Sequence, residues 1–444
     1  MQQRPGLPFS IRAGWAVGSI VTTTLIFITN TFFLRFMTDY IGLAAALAGT
    51  LLAATKIVDA CINPVMGLVS DNTQSRWGRR RPYLLAGTLL GALSLILMFN
   101  VPMSLTGALV PAYVFAVLVL VSVAYTAFNV PYLAMMAEMT SNPQERALLV
   151  SYRVYALAAA QFIVGGGAPL LVERLGADRP AYGGMSMVLA LMVIAVGLVA
   201  FFSTRRAPVT ELQAAAKSRF WSALPTLFRS RLYVAVVLVK ATFLIGSTAH
   251  TATATYYVRY VMQASESTLS LFLLVYSLGM VASQALWLKL IGRTSKVFAF
   301  MGAASIYTIV SIIWAFLGAH VPTEVFILLS AINGIGAGGL LLTSESMLPD
   351  AIEDDYRLSG LRREGTLASL FTFAEKGANA IGIAGVGFAL SFYGYVAPPP
   401  GETLSEAGLQ AILFAFGLMP AIFVGASTLW LLILRRRRAA ATAS

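Results

Sequence analysis

The stretch Lys56-Ile-Val-Asp59-Ala-Cys61-Ile-Asn63-Pro64-Val-Met-Gly67-Leu-Val-Ser-Asp71-Asn-Thr73-Gln-Ser-Arg76-Trp77-Gly78-Arg79-Arg80-Arg81-Pro82 decides how the chain folds. Its first half continues an apolar run that starts near residue 43, long enough to be a helix that crosses a membrane. Its second half turns abruptly basic, as cytoplasmic loops do. Asp59 and Asn63 are four apart and share one helix face. Pro64 has no N–H to give the preceding turn, which frees a backbone carbonyl there. A carboxylate, an amide oxygen and a freed carbonyl are hard oxygen ligands for a small cation, and Asp59 alone can carry a proton. An ionisable residue at membrane depth costs about 2.5–3.5 kcal/mol or more, so a functional role is the first expectation. An internal Lys56–Asp59 pair that only stabilises packing is the plainer alternative. Gly67-x-x-x-Asp71 and Gly78-Arg79-Arg80-Arg81 then lie at the cytoplasmic mouth. There Asp71 can pair with an arginine and lock two helix ends, against the simpler reading of positive charge kept inside.

The rest of the chain agrees with a polytopic membrane protein. Of 444 residues, 58% are hydrophobic and 11% charged, with mean hydropathy +0.78. Soluble domains are about 45–50% apolar and 25% charged. A soluble enzyme, a disordered chain and a nucleic-acid partner are therefore not expected. Apolar runs predict twelve spans, at 14–37, 43–70, 83–101, 107–136, 149–172, 184–203, 232–262, 268–291, 297–318, 323–347, 366–393 and 408–434. The first run is too long for the apolar core of a cleavable signal peptide. One cysteine, Cys61, allows no internal disulfide and is expected to pack.

The net charge of +12 reports orientation. With both termini in the cytoplasm, 23 of the 31 Lys and Arg residues fall on that side. Only Arg35, Arg174, Arg179 and Arg259 lie outside, and Lys56, Arg153, Lys240 and Lys376 fall within spans. The longest polar stretch divides the chain into residues 1–203, a central loop at 204–231, and residues 232–444. Each half carries a basic loop after its second helix and an acidic–basic segment after its fourth. These are Glu138 to Arg146 and Asp350 to Arg363, a weak internal symmetry that suits two facing six-helix bundles.

Three further segments complete a pattern. Helix 4 reads Ala124-Tyr125-Thr126-Ala-Phe-Asn129-Val-Pro131-Tyr132, and helix 5 contains Ser151-Tyr152-Arg153. The third segment runs from Pro349-Asp350 through Glu353, Asp355 and Arg362-Arg363-Glu364-Gly365 to Thr372-Phe-Ala-Glu375-Lys376-Gly377. Together with the stretch from Lys56 to Pro82, these resemble the glycoside–pentoside–hexuronide:cation symporters, the melibiose permease-like branch of the major facilitator superfamily. The resemblance covers nearly the whole chain. It implies an all-α major facilitator fold of twelve transmembrane helices in two pseudo-symmetric six-helix bundles. It also implies alternating-access symport of a sugar, glycoside or sugar acid across the cytoplasmic membrane.

Carried over position by position, the family's cation site uses two helix-2 aspartates and a helix-4 threonine. Asp59 and Thr126 match, and Asn63 replaces the second aspartate. Proton coupling at Asp59, a weaker Na⁺ site and no coupling all stay open, and no other cofactor is implied. The family's sugar site has acids on helices 1 and 4, where this chain has Thr23 and Asn129. Tyr125 and Arg153 match, Leu133 stands at a tryptophan position, and Thr372 and Lys376 lie on the matching part of helix 11. Asn129 can still donate to and accept from hydroxyls. Asp59 is the expected partner of Lys376, with neighbouring Glu375 as the alternative. The cytoplasmic gate implied by the pattern comprises Gly67, Asp71, Gly78, Arg79, Arg81, Glu138, Arg146, Asp350 and Arg363.

Other functions suit the sequence less well. A lipid or other small-molecule transporter on the same fold is the main alternative. A membrane transferase is weaker, because Asp350-Ala-Ile-Glu353-Asp354-Asp355 has no second Asp-rich motif to hold Mg²⁺ with it. No Walker motif is present, so ATP drive is not expected. His250, inside helix 7, is expected to be a core or path-lining residue rather than a metal ligand. A monomer in the lipid bilayer with a small-molecule substrate is the expected working form.

Overall fold

The structure is a computed structural model that describes residues 7–140, 142–208, 230–318, 322–359, 364–399 and 402–443. Among these, long helices follow one another in chain order. They are α1 (Phe9–Thr31), α2 (Ala45–Asn72), α3 (Arg81–Phe99), α4 (Leu109–Met139), α5 (Pro143–Arg174) and α6 (Arg179–Ser203). After the central loop come α7 (Arg231–Tyr256), α8 (Glu266–Arg293), α9 (Lys296–Leu317), α10 (Thr323–Ser359), α11 (Glu364–Phe392) and α12 (Glu406–Leu432). All but α11 are apolar and long enough to cross a membrane. α11 is as long, but it carries Glu375, Lys376 and Asn379. Large exposed apolar side chains such as Leu68, Phe202, Phe316 and Phe392 suit a lipid-facing surface.

The helix starts follow capping chemistry. Asn142, Asp178, Ser230, Ser295 and Ser405 each accept a backbone N–H of the first turn of α5, α6, α7, α9 and α12. Several helices overrun their expected ends. α4 continues to Met139 and carries Glu138, and α10 continues through Pro349 to Ser359 and carries Asp350. Both acids were expected in loops. Their ion pairs with neighbouring helix starts hold these polar turns in helical form beyond the apolar run. Cys61, expected to pack, is exposed.

The chain forms two compact units. One comprises residues 1–43 and 54–215, and the other residues 44–53 and 216–444. In the first, α3 packs on α4 and α6, and α1 on α5. Close approach has a visible cause at Gly87 of α3, where a Cβ would stand 2.6 Å from the Phe128 backbone nitrogen of α4. In the second unit, α10 packs on α8 and α9, and α7 on α11 and α12. Its core includes Tyr233, Phe243, Trp287, Phe300 and Tyr307. His250 is buried there, stacked on Phe416 with ring centroids 4.3 Å apart and with Nδ1 3.1 Å from the Phe416 carbonyl.

The internal symmetry appears in backbone detail. A π-turn follows the first helix of each unit, Phe36–Tyr40 in one and Tyr257–Val261 in the other. The N–H groups of Ile41 and Leu43 donate to the carbonyls of Phe36 and Met37. Met262 and Ala264 donate in the same way to Tyr257 and Val258. The residue between each pair of donors takes positive φ, Gly42 at 78° and Gln263 at 49°, and the second helix starts three residues later. Glycine accepts that backbone freely, whereas Gln263 holds it at some conformational cost.

Candidate functional site

Three polar side chains meet in the first unit. Thr126 Oγ1, fully buried on α4, donates to Asp59 Oδ1 at 2.7 Å and lies 3.0 Å from Asn63 Oδ1. α2 presents both acceptors because they are one turn apart. The helix runs unbroken through Pro64. Asp59 is 8% exposed, so one carboxylate is held at depth beside a hydroxyl and an amide. Lys56, one turn earlier, donates to Asn30 Oδ1 of α1 at 3.1 Å. Lys56, Asp59, Thr29, Ser122 and Tyr125 line a small cavity of about 40 Å³.

Tyr125 ties this group to the expected substrate residues, being within electrostatic reach of both Asp59 and Arg153. Arg153 also faces Tyr132, and its buried Nε has no hydrogen-bond partner among the described residues. Tyr132 stacks on Trp15 at 4.7 Å and accepts the Trp15 indole N–H on its carbonyl at 3.2 Å, which fixes α1 to α4 here. Thr23 is half-buried on α1 and bonds its own helix at Ser19. Asn129 is half-buried on α4, and no bond among the described residues joins Thr23 or Asn129 to the Asp59 group.

The second unit holds its own charged cluster. Lys240 of α7 is 2% exposed and reaches Glu345 of α10 at 2.5 Å and Glu375 of α11 at 3.2 Å. The rings of Phe243 and Phe371 flank its ammonium at 5.9 and 5.8 Å. Glu375 thus serves Lys240, where the sequence offered it as a neighbour for Lys376. Lys376 is half-buried on α11, and Thr372 is exposed there and bonds the Ala368 carbonyl. Pattern reading missed this cluster as a unit. The in-span charge at Lys240 was the signal, but its partners lie on two other helices.

Of the residues expected at the gate, Asp71, Arg79 and Glu138 in the first unit and Asp350 in the second take part in two ion-pair latches. In the first unit, Glu138 accepts from Arg79 Nη2 at 2.8 Å and Arg80 Nε at 2.9 Å, and Arg80 also pairs with Asp71 and donates to Ser70. Arg80, absent from the expected set, is therefore the central arginine. Arg81 instead donates to the Phe201 carbonyl of α6 from Nη2 at 2.7 Å and Nε at 3.2 Å. Arg146 donates to the Thr140 carbonyl. Gly67 has open space around it, and Gly78 takes φ 87° in the turn into α3. In the second unit, Asp350 takes Lys296 at 2.7 Å. Arg363 lies outside the described residues.

Residues 14–435 match the model of the family described as MFS/sugar transport protein. The isoprimeverose transporter of Lactiplantibacillus pentosus is 29% identical, over 96% of this chain and 88% of that protein. The putative glycoside/cation symporter YagG of Escherichia coli K12 is 30% identical, over 85% of this chain and 82% of its own. Among solved structures, the D-xylose-proton symporter shares the fold, with TM-score 0.66 at 12% identity over 94% of this chain and 97% of that one. The chain therefore belongs to the MFS/sugar transport family, in its glycoside–pentoside–hexuronide:cation symporter branch, and is a multi-pass secondary active sugar transporter.

Proposed function

We propose that the protein couples inward proton movement to uptake of a sugar acid or acidic glycoside by alternating access. The observation that carries the coupling is the group of Asp59, Thr126 and Asn63, which holds one carboxylate, 8% exposed, against a hydroxyl and beside an amide. One proton neutralises one carboxylate and needs no coordination shell. A two-carboxylate site would hold a metal cation more strongly by a full charge, and Asn63 removes that charge. Protonated Asp59 is cheap to carry through a closed, dry intermediate, and ionised Asp59 is not. This difference lets the proton decide which form of the carrier changes state.

Tyr125 links the proton position to the substrate position, so protonation at Asp59 bears on sugar binding beside it. The buried Arg153 Nε favours a carboxylate-bearing sugar, since a guanidinium grips a carboxylate with two parallel hydrogen bonds. Thr23 and Asn129 are neutral where the family has acids, which removes a repulsion against such a substrate. The named relatives include a glucuronide carrier protein homolog of Escherichia coli K12, in keeping with this class. Asp59 and Lys376 are both required for energised uptake in this reading.

Proteoliposome counterflow with a panel of neutral glycosides and uronides tests the substrate. Imposed pH and Na⁺ gradients test the ion. Accumulation under a pH gradient alone, lost in Asp59→Asn, is the expected result. Accumulation driven only by Na⁺ would refute proton coupling. Exchange confined to neutral glycosides would remove Arg153 from its proposed role.

A further inference from the structure

A cavity of about 700 Å³ opens at the basic, cytoplasmic end of the first unit, bounded by the α2–α3 turn and the ends of α4 and α6. Five guanidiniums line it, those of Arg76, Arg79, Arg80, Arg81 and Arg205, and the one acid among them is Glu138. Glu138 is used up by Arg79 and Arg80, and Asp71 is also taken by Arg80. The other three arginines have no carboxylate among the described residues. Arg81 is 9% exposed and holds only the Phe201 carbonyl, the Trp77 carbonyl and the Phe201 ring at 4.3 Å. Arg76 sits over the Trp77 ring at 5.1 Å. The charged group that Arg81 feels most is another cation, Arg205.

A buried cation with no counter-charge among the described residues, facing a second cation, is costly. The partial negative charge of the last α6 carbonyls offsets part of this. Keeping positive charge inside explains why arginines lie at this end. It does not explain why they converge on one cavity. α3 also begins at Arg81 with no side-chain cap, so its first N–H groups add to the positive field.

We propose that this cavity is an anion site that takes a phosphate group, from a phospholipid headgroup or from free phosphate. Planar guanidiniums match phosphate oxygens in pairs. Basic pockets between transmembrane helices on the cytoplasmic side suit anionic headgroups. Phe202, 62% exposed at the cavity wall, offers apolar surface at the level where acyl chains begin. Arg79 and Arg80 both line the cavity and hold Glu138, so a bound phosphate acts on the same latch that ties α3 to α4.

The test uses the full chain in nanodiscs, with thermal unfolding as the readout. Discs of phosphatidylcholine are compared with discs that also contain phosphatidylglycerol, and inorganic phosphate is added to the former. A ligand bound only by the folded state raises the unfolding temperature. An upward shift with phosphatidylglycerol that Arg205→Gln abolishes is the expected result, with Arg81→Gln as a second variant. Lys289→Gln, a change at an exposed basic residue that does not line the cavity, should keep the shift. The same shift from inorganic phosphate, also lost in Arg205→Gln, assigns the site to free phosphate. No shift with either anion would overturn the proposal. So would a shift that survives Arg205→Gln, or one lost equally in Lys289→Gln, which marks diffuse surface attraction.

Discussion

The two units repeat one backbone plan, down to the π-turn and the positive-φ residue after their first helices, yet the polar clusters described above centre on opposite charges. The first holds the carboxylate of Asp59 beside a hydroxyl and an amide. The second holds the ammonium of Lys240 between two carboxylates and two aromatic rings. The latches repeat too. A cation at the start of the third helix meets an acid near the end of the fourth, Arg79 and Arg80 with Glu138 in one unit and Lys296 with Asp350 in the other. The first latch is buried at its acid, 5% exposed, and the second is open, 54% exposed at Asp350. A repeated scaffold thus fixes where polar side chains can stand, and the residues chosen at those places decide whether a site carries a proton, a static pair or a latch.

The contrast can be broken most severely at Asp59. Asp59→Asn leaves the first unit with no titratable group in its triad, and gradient-driven accumulation should vanish while counterflow persists. Uptake with and without an imposed pH gradient measures both. The matching change in the second unit should strike stability instead. Lys240→Met leaves two carboxylates facing each other, at a cost of about 3 kcal/mol given that Glu345 is half exposed. Thermal unfolding in detergent reads this loss, and adding Glu345→Gln with Glu375→Gln should recover much of it.

The latches should separate by burial. Glu138→Gln removes the acceptor of two arginines and should cost about 2 kcal/mol, whereas Asp350→Asn should cost about 1 kcal/mol or less. Parallel thermal melts decide, and equal losses would mean that burial does not set the strength of these locks. A further change sharpens the ion choice. Asn63→Asp returns a second carboxylate to the triad and should raise Na⁺ stimulation of uptake about tenfold, or about 1.4 kcal/mol. A Na⁺ titration of initial rates measures it.

Much of the site was legible because its parts are local. Asp59 and Asn63 share a face by spacing alone, and Thr126 enters through the helix-4 pattern. Thr126 does lie against Asp59 and Asn63. The latch was legible only as a class. Spacing brings arginines to Asp71, but three arginines in a row point in different directions around the start of α3. Only the packed helices show that Arg80 turns to Glu138 and Asp71 while Arg81 turns to α6. The Lys240 cluster was not legible, because its three members are more than a hundred residues apart from first to last and follow no shared period.

By itself the sequence determined the membrane class, the span order, the orientation and the place of the Asp59 carboxylate within a span of the first unit. Hydrophobic length, positive-inside charge and helical period act along the chain, so they can be read along it. The tertiary structure decided which cation meets which acid, where helix ends stop, and that three arginines with no carboxylate partner among the described residues share one cavity. Those outcomes depend on side chains from different helices meeting in space, where burial raises the cost of every unmatched charge and selects the pairs that remain.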